Sequence, residues 1–510
     1  LVFSFVGYIS QEIAVNGRQV IDVTLSEDLQ TLSEVIVVGY GESSRKKIVS
    51  SVTQVDAKEL ATYPFTNTIE MLTGRAKGVI TMVQGGVPGT LPTISIRGGG
   101  EPLYIIDGVP ATKQEFAGLA PTDIESYTIL KDAAAAAVYG ARAGNGVVLV
   151  TTKRGSGGIR LTYNSSVTFA TPTTPIRYLQ PEEVAEALDR ASYYNGGRVT
   201  FMDVDENGGL RWDPARLDSI KKGIWNNPWY GKTDWNELIL EDYAPSQVHD
   251  LAISGSSGDT RYHLSGRFAE QNGIVKNDVY NSKRYNARLS VTQDFKEIGL
   301  SARASASWNQ QDLREPPQSV WGIMTGLYRQ NSFAHLFLPS GNPRGGPENP
   351  YLMIDPAGGY RISNNSYMNL MLNMDWSVPK VKGLTASVMS NYRVYRGDRK
   401  NWFANAMGTG QSYNVLDQKE DMGPPHLNQL SEYNKDYTLQ LRANYNKEIN
   451  RHTIDATFVY EELANTYAYL GAGRTEYQTA VIEQLNAGPS STATNSGSQS
   501  ENARRGFIGR

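Results

Sequence analysis

Groups able to carry out catalysis are sparse in this sequence. The chain has no cysteine, which excludes thiol nucleophiles, thiolate metal sites and disulfide bridges. Its five histidines do not pair at the H-x-x-H or H-E-x-x-H spacing of a zinc site, and neither a G-x-S-x-G nucleophile motif nor a G-x-x-x-x-G-K-[ST] phosphate loop occurs. We therefore expect no catalytic residues and no nucleotide cofactor, and we predict that the protein is not an enzyme.

One acidic segment has the spacing of metal ligands. Asp203, Asp205 and Asn207 match the first half of a calcium-binding loop, in which oxygen ligands fall at alternate positions. The last position of such a loop carries a bidentate glutamate, and here it is Pro214. Two interpretations stay open: a structural Ca²⁺ site completed by other ligands, and a solvated acidic turn. No other metal or cofactor is expected.

Aromatic residues cluster in the long connections between strand patterns. Their ring faces suit contacts with weakly hydrated surfaces such as sugar rings and peptides. The alternatives are packing of the loops against one another and anchoring at a membrane interface. The candidate substrate contacts are Trp225, Trp229, Trp321 and Trp402.

Polar and apolar residues alternate with period two from Gly158 to the end of the chain, which predicts β-strands. Short turns and long connections also alternate, which is typical of an outer-membrane barrel, and aromatic residues near strand ends suit interfacial girdles. We predict a mainly β fold: a transmembrane antiparallel β-barrel, incomplete here, with about ten strands in residues 155–510. The long connections are expected at about 171–245, 310–364, 396–433 and 463–502, with a shorter one at 271–283.

The chain before this pattern divides into three parts. Residues 1–28 read as the tail of a small β-sandwich, 29–47 as a short apolar strand with a charged linker, and 48–154 as an α+β unit. Within that unit, Thr122–Glu125 has the spacing of a capping box, which predicts the start of a helix. Because a wide barrel needs its lumen closed, we expect residues 48–154 to lie inside it as a plug.

Composition and length limit the partners. The 510 residues carry a formal net charge of -3, which gives no electrostatic reason to expect nucleic acid. No apolar run approaches the roughly 18 residues of a transmembrane helix, whereas membrane strands alternate and escape that test. The chain begins at Leu1 and ends at Arg510 inside strand patterns, so we expect a fragment that lacks both ends.

The apolar strand before the α+β unit invites two interpretations. It is an ordinary core strand, or it adds to the sheet edge of another protein. A plugged barrel without a nucleotide site needs an external source of energy and a mechanical handle, so we favour the second. The run is Glu34, Val35, Ile36, Val37, Val38, Gly39 and Tyr40, followed by Gly41.

Two segments of the α+β unit, Pro102 to Pro110 and Ile129 to Val148, resemble the plug signatures of SusC/RagA-type TonB-linked outer-membrane proteins, the TonB-dependent transporters of Bacteroidota. In the same family resemblance, Glu34 to Gly41 is similar to the TonB box and Leu1 to Leu25 to a carboxypeptidase-regulatory-like domain. The segment between Gly98 and Pro102 is shorter than is usual in the family. The plug residues that the resemblance singles out are Arg97, Gly98, Asp107, Gly108, Lys131, Asp132, Tyr139, Gly140, Arg142, Asn145 and Gly146.

Two kinds of residue make up that set. The glycines are expected to serve turns and close packing rather than a phosphate cradle. For the charged residues two interpretations stay open: a breakable network between the plug and the barrel wall, and solvation in a wet lumen. They are Arg97, Lys131, Asp132 and Arg142.

The resemblance also implies a function. It implies TonB-dependent active import of an oligosaccharide or peptide across the bacterial outer membrane, energised through TonB with ExbB and ExbD and assisted by a SusD-like surface lipoprotein. The plug and N-terminus would face the periplasm, outer-membrane lipid would surround the barrel, and the intact protein would have about 22 strands. A TonB-dependent receptor for siderophore, haem or cobalamin and a surface adhesin without transport are the alternatives.

Overall fold

The computed structural model describes residues 2–3, 11–12, 23–24, 35–38, 41–44, 52–56, 67–83, 86–131, 137–173, 175–224, 230–333, 335–338, 340–343, 349–405, 407–414, 416–449 and 452–509. The chain forms two compact units. Unit 1 comprises Leu1–Met82 and Leu91–Lys153, and unit 2 comprises Val83–Thr90 and Arg154–Arg510. Among the described residues, no helix is long and apolar enough to span a membrane.

Unit 1 is built on a five-stranded mixed sheet in the order β5-β10-β11-β8-β9, beside three two-stranded pairs. In this sheet β8 and β11 run parallel, and the other neighbours are antiparallel. The pairs are β1 with β2, β3 with β4, and β6 with β7. The ranges are β1 Val2–Phe3, β2 Gln11–Glu12, β3 Val35–Val38, β4 Gly41–Ser44, β5 Val52–Asp56, β6 Val79–Met82, β7 Thr93–Ile96, β8 Leu103–Ile106, β9 Val109–Ala111, β10 Ile124–Leu130 and β11 Val147–Thr152.

The short helix α1 (Lys113–Gly118) packs against the core of unit 1. Its Phe116 stacks on Tyr104 at 4.8 Å between ring centroids and meets Tyr127 edge-on at 5.9 Å. The helix begins with a capping box in which Thr112 and Glu115 bond reciprocally. Apolar side chains from β8, β10 and β11 complete this core, as their β-branched and aromatic sequences favour.

The helix start predicted at Thr122–Glu125 is wrong. A 3₁₀ turn over Pro121–Asp123 leads straight into β10 instead. β10 lies between β5 and β11 and pairs with both, so its ladder hydrogen bonds and buried side chains outweigh the local capping signal.

Unit 2 carries one antiparallel sheet of ten strands, β12-β15-β16-β17-β18-β19-β20-β21-β22-β23, which confirms the predicted mainly β fold and strand number. A separate small hairpin, β13–β14, lies in the first long connection. The ranges are β12 Arg160–Ala170, β13 Asp203–Val204, β14 Leu210–Arg211, β15 Ala244–Ser257, β16 Thr260–Asn272, β17 Asn281–Phe295, β18 Leu300–Glu315, β19 Gly359–Ser377, β20 Leu384–Phe403, β21 His426–Ile449, β22 His452–Arg474 and β23 Thr494–Gly509.

Short turns join β15 to β16, β17 to β18 and β19 to β20, as predicted, whereas three of the long connections are shorter than expected. The connections run over 316–358, 404–425 and 475–493, because strands such as β21, with 24 residues, extend well past their alternating part. In the extension of β21 the apolar residues Leu427, Leu430 and Tyr433 fall three positions apart, so the period of two is lost there while the backbone ladder continues.

One face of the ten-stranded sheet is apolar and exposed. In register, Ile253, Leu264 and Leu289 stand opposite one another on β15, β16 and β17, and all three are exposed. On β19 the outward residues from Met368 to Trp376 span nine positions, about 27 Å along the strand, which matches the height of a lipid-facing band. A row of stacked rings borders this face: Tyr163, His249, Phe268, Tyr285 and Trp308.

The opposite face is polar, and many of its side chains are buried and paired. Arg267 opposes Asp250 in register and lies 3.3 Å from its carboxylate, with both side chains almost fully buried. Gln440 donates to Glu461 at 2.7 Å. Because an unpaired buried charge is costly, such pairing lowers the free-energy cost of burying polar side chains on this face.

The first two long connections fold into helices around their own apolar clusters. The first carries α2 (Pro181–Tyr194), α3 (Pro214–Lys222) and α4 (Trp235–Ile239), and the connection after β18 carries α5 (Val320–Arg329) and α6 (Pro350–Met353). One cluster, here the loop core, joins the two connections through buried residues of α4, α5 and α6. Its buried members are Trp235, Ile239, Leu240, Val275, Val279, Tyr280, Ile323, Leu327, Leu336, Met353 and Ile354.

Candidate functional site

The Asp-Gly pair of the first plug signature forms a tight hairpin turn. Asp107 and Gly108 have φ values of 51° and 89° and join β8 to β9, as a type I′ turn requires. The Asp107 carboxylate accepts hydrogen bonds from the backbone N–H of Thr152 at 3.0 Å and from its hydroxyl at 2.6 Å. Asp107 therefore ties the turn after β8 to the end of β11.

The two plug signatures meet beside β8. Leu103 N–H donates to the carbonyl of Gly146 at 3.0 Å, and the Asn145 amide donates to the carbonyl of Glu101 at 3.3 Å. A Cβ on Gly100 would lie 2.8 Å from Asn145 Nδ2, so the short segment before Pro102 needs its glycine for this close approach. Gly146, with φ of 93°, is likewise packed against Ile96.

Glu101 anchors this junction through its side chain. Its carboxylate accepts a short hydrogen bond from the Tyr104 hydroxyl and lies 3.3 Å from the Lys113 ammonium. Burial of Tyr104 against Phe116, and then the neighbouring Glu101 carboxylate, raise the pKa of the Tyr104 hydroxyl well above its ordinary value. Sequence reasoning did not single out Glu101 or Tyr104, because nothing in the sequence shows that they touch.

The remaining plug residues lie near turns. Arg97 and Gly98 end β7 with positive φ values of 53° and 77°, and the side chains of Arg97 and Lys131 both border Gly78. Gly140, with φ of 68°, breaks the helical turns of Ala137–Ala143, in which Tyr139 is buried and Arg142 is exposed. Asp132 lies outside the described residues.

The run predicted to be a TonB box is a strand over its central part. Val35–Val38 forms β3, which pairs antiparallel with β4, so part of the expected charged linker is itself a strand. In the described part of the chain, β3 and β4 form a sheet of two strands. Glu34, Gly39 and Tyr40 lie outside the described residues.

The candidate substrate-contacting tryptophans have different surroundings. Trp321 is 81% exposed on α5, where Tyr328, seven residues on, is also exposed. Trp402 is only 2% exposed and packs edge-on against Tyr477 at 5.2 Å, so it serves loop packing instead of offering a ring face. Trp225 and Trp229 lie outside the described residues.

The acidic segment at 203–208 is a turn whose side chains are engaged by the protein. Asp205 Oδ1 accepts the backbone N–H groups of Asn207 at 2.9 Å and Gly209 at 2.7 Å, and Asp203 pairs with Arg216 at 3.1 Å. Within the described ranges, no group of three or more His, Asp or Glu residues is arranged to hold a metal ion. The Ca²⁺ site and the solvated acidic turn both stay predictions for this segment.

Sequence reasoning also missed a turn at Val87–Thr90. Thr90 N–H donates to the carbonyl of Val87 at 3.2 Å, and side chains from three strands of unit 2 bond the peptide groups of Gly89. The Pro88-Gly89 dipeptide was the available signal, since proline and glycine occupy the centre of type II turns.

Comparison with known proteins identifies the unit that carries these signatures. A family model for the TonB-dependent receptor plug domain matches residues 44–147. The TonB-dependent receptor P39 of Formosa agariphila is 27% identical over 513 residues, which cover 95% of this chain and 44% of that protein. The TonB-dependent receptor SusC of Bacteroides thetaiotaomicron is 32% identical over 326 residues, which cover 60% of this chain and 29% of that protein.

Solved structures show the same fold. The RagAB peptide importer in its 'open-open' state matches with a TM-score of 0.76 at 22% identity, over 93% of this chain and 54% of that one. The chain thus spans about half the length of the relatives it matches. The likeness shows a plug domain followed by strands of an antiparallel barrel. The matched relatives are named as TonB-dependent receptors and a peptide importer. The chain is therefore similar to SusC-like TonB-dependent receptors, and its residues 44–147 match their plug domain.

Proposed function

We propose that the intact protein is a TonB-dependent importer of the outer membrane that takes up an oligosaccharide or a peptide. The observation that carries this proposal is the ten-stranded sheet with an exposed apolar face and a polar, paired opposite face, in a chain that also contains a plug domain. An apolar face bordered by aromatic rings suits lipid, and a polar face suits a hydrated lumen.

Energy would enter through β3. Each strand of a two-stranded sheet has one unpaired edge, and an unpaired edge accepts a further strand through main-chain hydrogen bonds. TonB, driven from the inner membrane with ExbB and ExbD, would add such a strand in the periplasm and pull on the plug. The chain has no nucleotide motif, so an external source of work is required.

A SusD-like surface lipoprotein is the proposed partner for substrate capture. Kinship with SusC and the fold shared with the RagAB peptide importer support a glycan or a peptide as cargo. Trp321 and Tyr328 offer two exposed rings on one helix, and aromatic faces of this kind stack on sugar rings and on peptide groups.

The test is deletion of Glu34–Val38 from the intact protein in its native cell. We expect uptake of labelled substrate to fall to the level of a strain without TonB, while binding of substrate at the cell surface is unchanged. The control variant replaces Ser43 and Ser44 by alanine, which leaves the backbone of β4 able to pair. Uptake by the deletion variant at the wild-type rate would show the proposal to be wrong.

The same strains separate the alternatives. Growth on glycans or peptides that depends on this protein supports the proposed substrates, whereas growth on chelated iron alone points to a siderophore or haem receptor. A phenotype that persists in full without TonB points to an adhesin.

A further inference from the structure

The turn Val87–Thr90 lies at the tip of the connection between β6 and β7. The two strands pair with each other, Met82 opposite Thr93, and both belong to unit 1. Val83–Thr90 belongs instead to unit 2, so the chain leaves one unit, contributes this segment to the other and returns. Gly89 has φ of 76° behind Pro88, which is the geometry of a type II turn.

Three side chains hold Gly89 by both of its peptide groups. The Gln271 Oε1 on β16 accepts the Gly89 N–H at 3.1 Å. The Gly89 carbonyl accepts from Arg284 Nη2 on β17 at 2.9 Å and from Gln311 Nε2 on β18 at 3.2 Å. Arg284 and Gln311 stand directly opposite each other in register, so the site is built across three adjacent strands on the polar face of the sheet.

The fit at Gly89 leaves no room for a side chain. A Cβ there would lie 2.7 Å from Gln311 Nε2 and 2.7 Å from Ser282 Oγ. The positive φ by itself disfavours any other residue. Beside the turn, Val87 packs against the loop core, which contains α4, α5 and α6.

We propose that Gly89 with Gln271, Arg284 and Gln311 forms a latch, which holds the β6–β7 connection on the strand sheet while the importer is at rest and lets go when the plug is pulled. Among the described residues no backbone ladder joins this turn to β16, β17 or β18. The turn can therefore detach by breaking a few side-chain hydrogen bonds and the packing of Val87 on the loop core, without unpairing a strand. This proposal rests on the proposed function.

The same geometry assigns each residue a role. Gln271 and Gln311 position the turn, and Arg284 adds a charged donor to the carbonyl, which is the strongest of the three bonds. Loss of these bonds would let the connection leave its place without any pull from TonB. The expected consequence is a leak through the resting protein.

The test measures that leak in cells that lack TonB and make the intact protein. The double variant Arg284→Ala with Gln311→Ala should raise the entry of a large antibiotic normally excluded by the outer membrane about tenfold per displayed molecule, since both hydrogen bonds to the Gly89 carbonyl are lost. The single variant Arg284→Lys should admit much less antibiotic than the double variant, because lysine keeps a charged donor. Gln310→Ala is the matched control, since Gln310 neighbours Gln311 but bonds Asp312.

If too little of the double variant reaches the outer membrane, single variants test the same proposal. Gln311→Ala and Gln271→Ala each remove one hydrogen bond to Gly89 and should leak by a smaller factor. If displayed variants stay as tight as the wild type, the latch is wrong. The leak is measured without TonB, so this failure is separate from failure of the proposed function, which would appear as wild-type uptake that does not depend on TonB.

Discussion

At the scale of single residues, the plug signatures prove to be structural in their best-defined members. Asp107 closes a turn and bridges β8 to β11, Asn145 packs on Gly99 and Gly100, and Gly146 allows a close approach to Ile96. The chemistry that these residues perform is hydrogen bonding and backbone accommodation. Substitution of Tyr104 and of Trp402 measures how much such contacts contribute to stability.

Tyr104 makes the stability of unit 1 sensitive to alkaline pH. The pKa of the Tyr104 hydroxyl is raised in the folded state. The stabilisation that this hydroxyl gives to unit 1 is therefore fully present below about pH 10, the ordinary tyrosine value, and is lost as the pH rises further. Tyr104→Phe removes the hydrogen bond to Glu101, and we expect it to lower the stability of unit 1 by about 1 kcal/mol at pH 8. The variant should also lose less stability than the wild type between pH 8 and 11.

The measurement is proteolysis of the 67–153 region of the intact protein in increasing urea. Other tyrosines and lysines also titrate in this range. The role of Tyr104 is therefore judged from the difference in stability between wild type and Tyr104→Phe, measured at pH 8 and at pH 11. An equal loss of stability in wild type and variant would contradict the assigned role.

Trp402 and Trp321 are expected to behave in opposite ways when replaced by alanine. Trp402→Ala removes a buried ring from the cluster with Leu427 and Tyr477 and should destabilise the 475–493 connection by about 4 kcal/mol. Trp321→Ala should change stability by less than about 0.5 kcal/mol, because the ring is exposed. If Trp321 contacts substrate, its loss should weaken binding about tenfold.

Two assays distinguish these variants: proteolysis of the connection, and calorimetric titration of the intact protein with substrate. A Trp402 variant as resistant as wild type would show that the cluster contributes little. Unchanged affinity in the Trp321 variant would remove that residue from the substrate contacts.

At the scale of elements, the strands of unit 2 combine two requirements. Their middle parts alternate so that one face is apolar, and their ends continue as backbone ladders without that alternation into the connections. The connections then fold on clusters of their own, as around Phe201, Tyr230 and Phe333, whose rings are within 5.2 Å of one another. Asp189 helps to shape this region by accepting three consecutive backbone N–H groups, those of Thr200, Phe201 and Met202.

A charge on the apolar face should be costly in the middle of the exposed apolar run and tolerated beyond the end of that run. Leu372 lies in the middle of the exposed apolar run of β19, opposite Ala304 and Ser390. Leu372→Arg should make folding into a bilayer less favourable by about 3 kcal/mol, because a charge would enter the lipid core. Ser366→Arg, on the same face beyond the end of that run, is the control and should cost less than about 1 kcal/mol.

Folding of the intact protein into lipid vesicles from urea measures this difference. Equal effects of the two substitutions would mean that the apolar face is not buried in lipid.

At the scale of the whole molecule, the two units differ in how they are held together. Strands of unit 1 in its main sheet have 3 to 7 residues, whereas those of the ten-stranded sheet have 11 to 24. All eight tryptophans lie in unit 2. The longer ladders resist unfolding more strongly, since each added residue pair extends the hydrogen-bonded sheet.

We therefore expect two transitions when the intact protein is unfolded by urea in detergent. The first, at lower urea, should expose the 67–153 region to protease without changing tryptophan fluorescence. The second should change the fluorescence as unit 2 unfolds. A single transition that coincides for both probes would show that the units unfold as one.

The sequence alone was sufficient for the strand pattern, the ten-strand count, the tight turns and the plug signatures, because alternation and turn residues are local properties of the chain. It was not sufficient for the strand ends, which continue where alternation stops, or for Thr122–Glu125, where pairing on both sides of β10 overrode a helix signal. It also did not show that Glu101 meets Tyr104, that Trp402 is buried, or that Gly89 is held by Gln271, Arg284 and Gln311. Those contacts join residues that are distant in sequence or that depend on the path of a loop, and only the tertiary structure brings them within bonding distance.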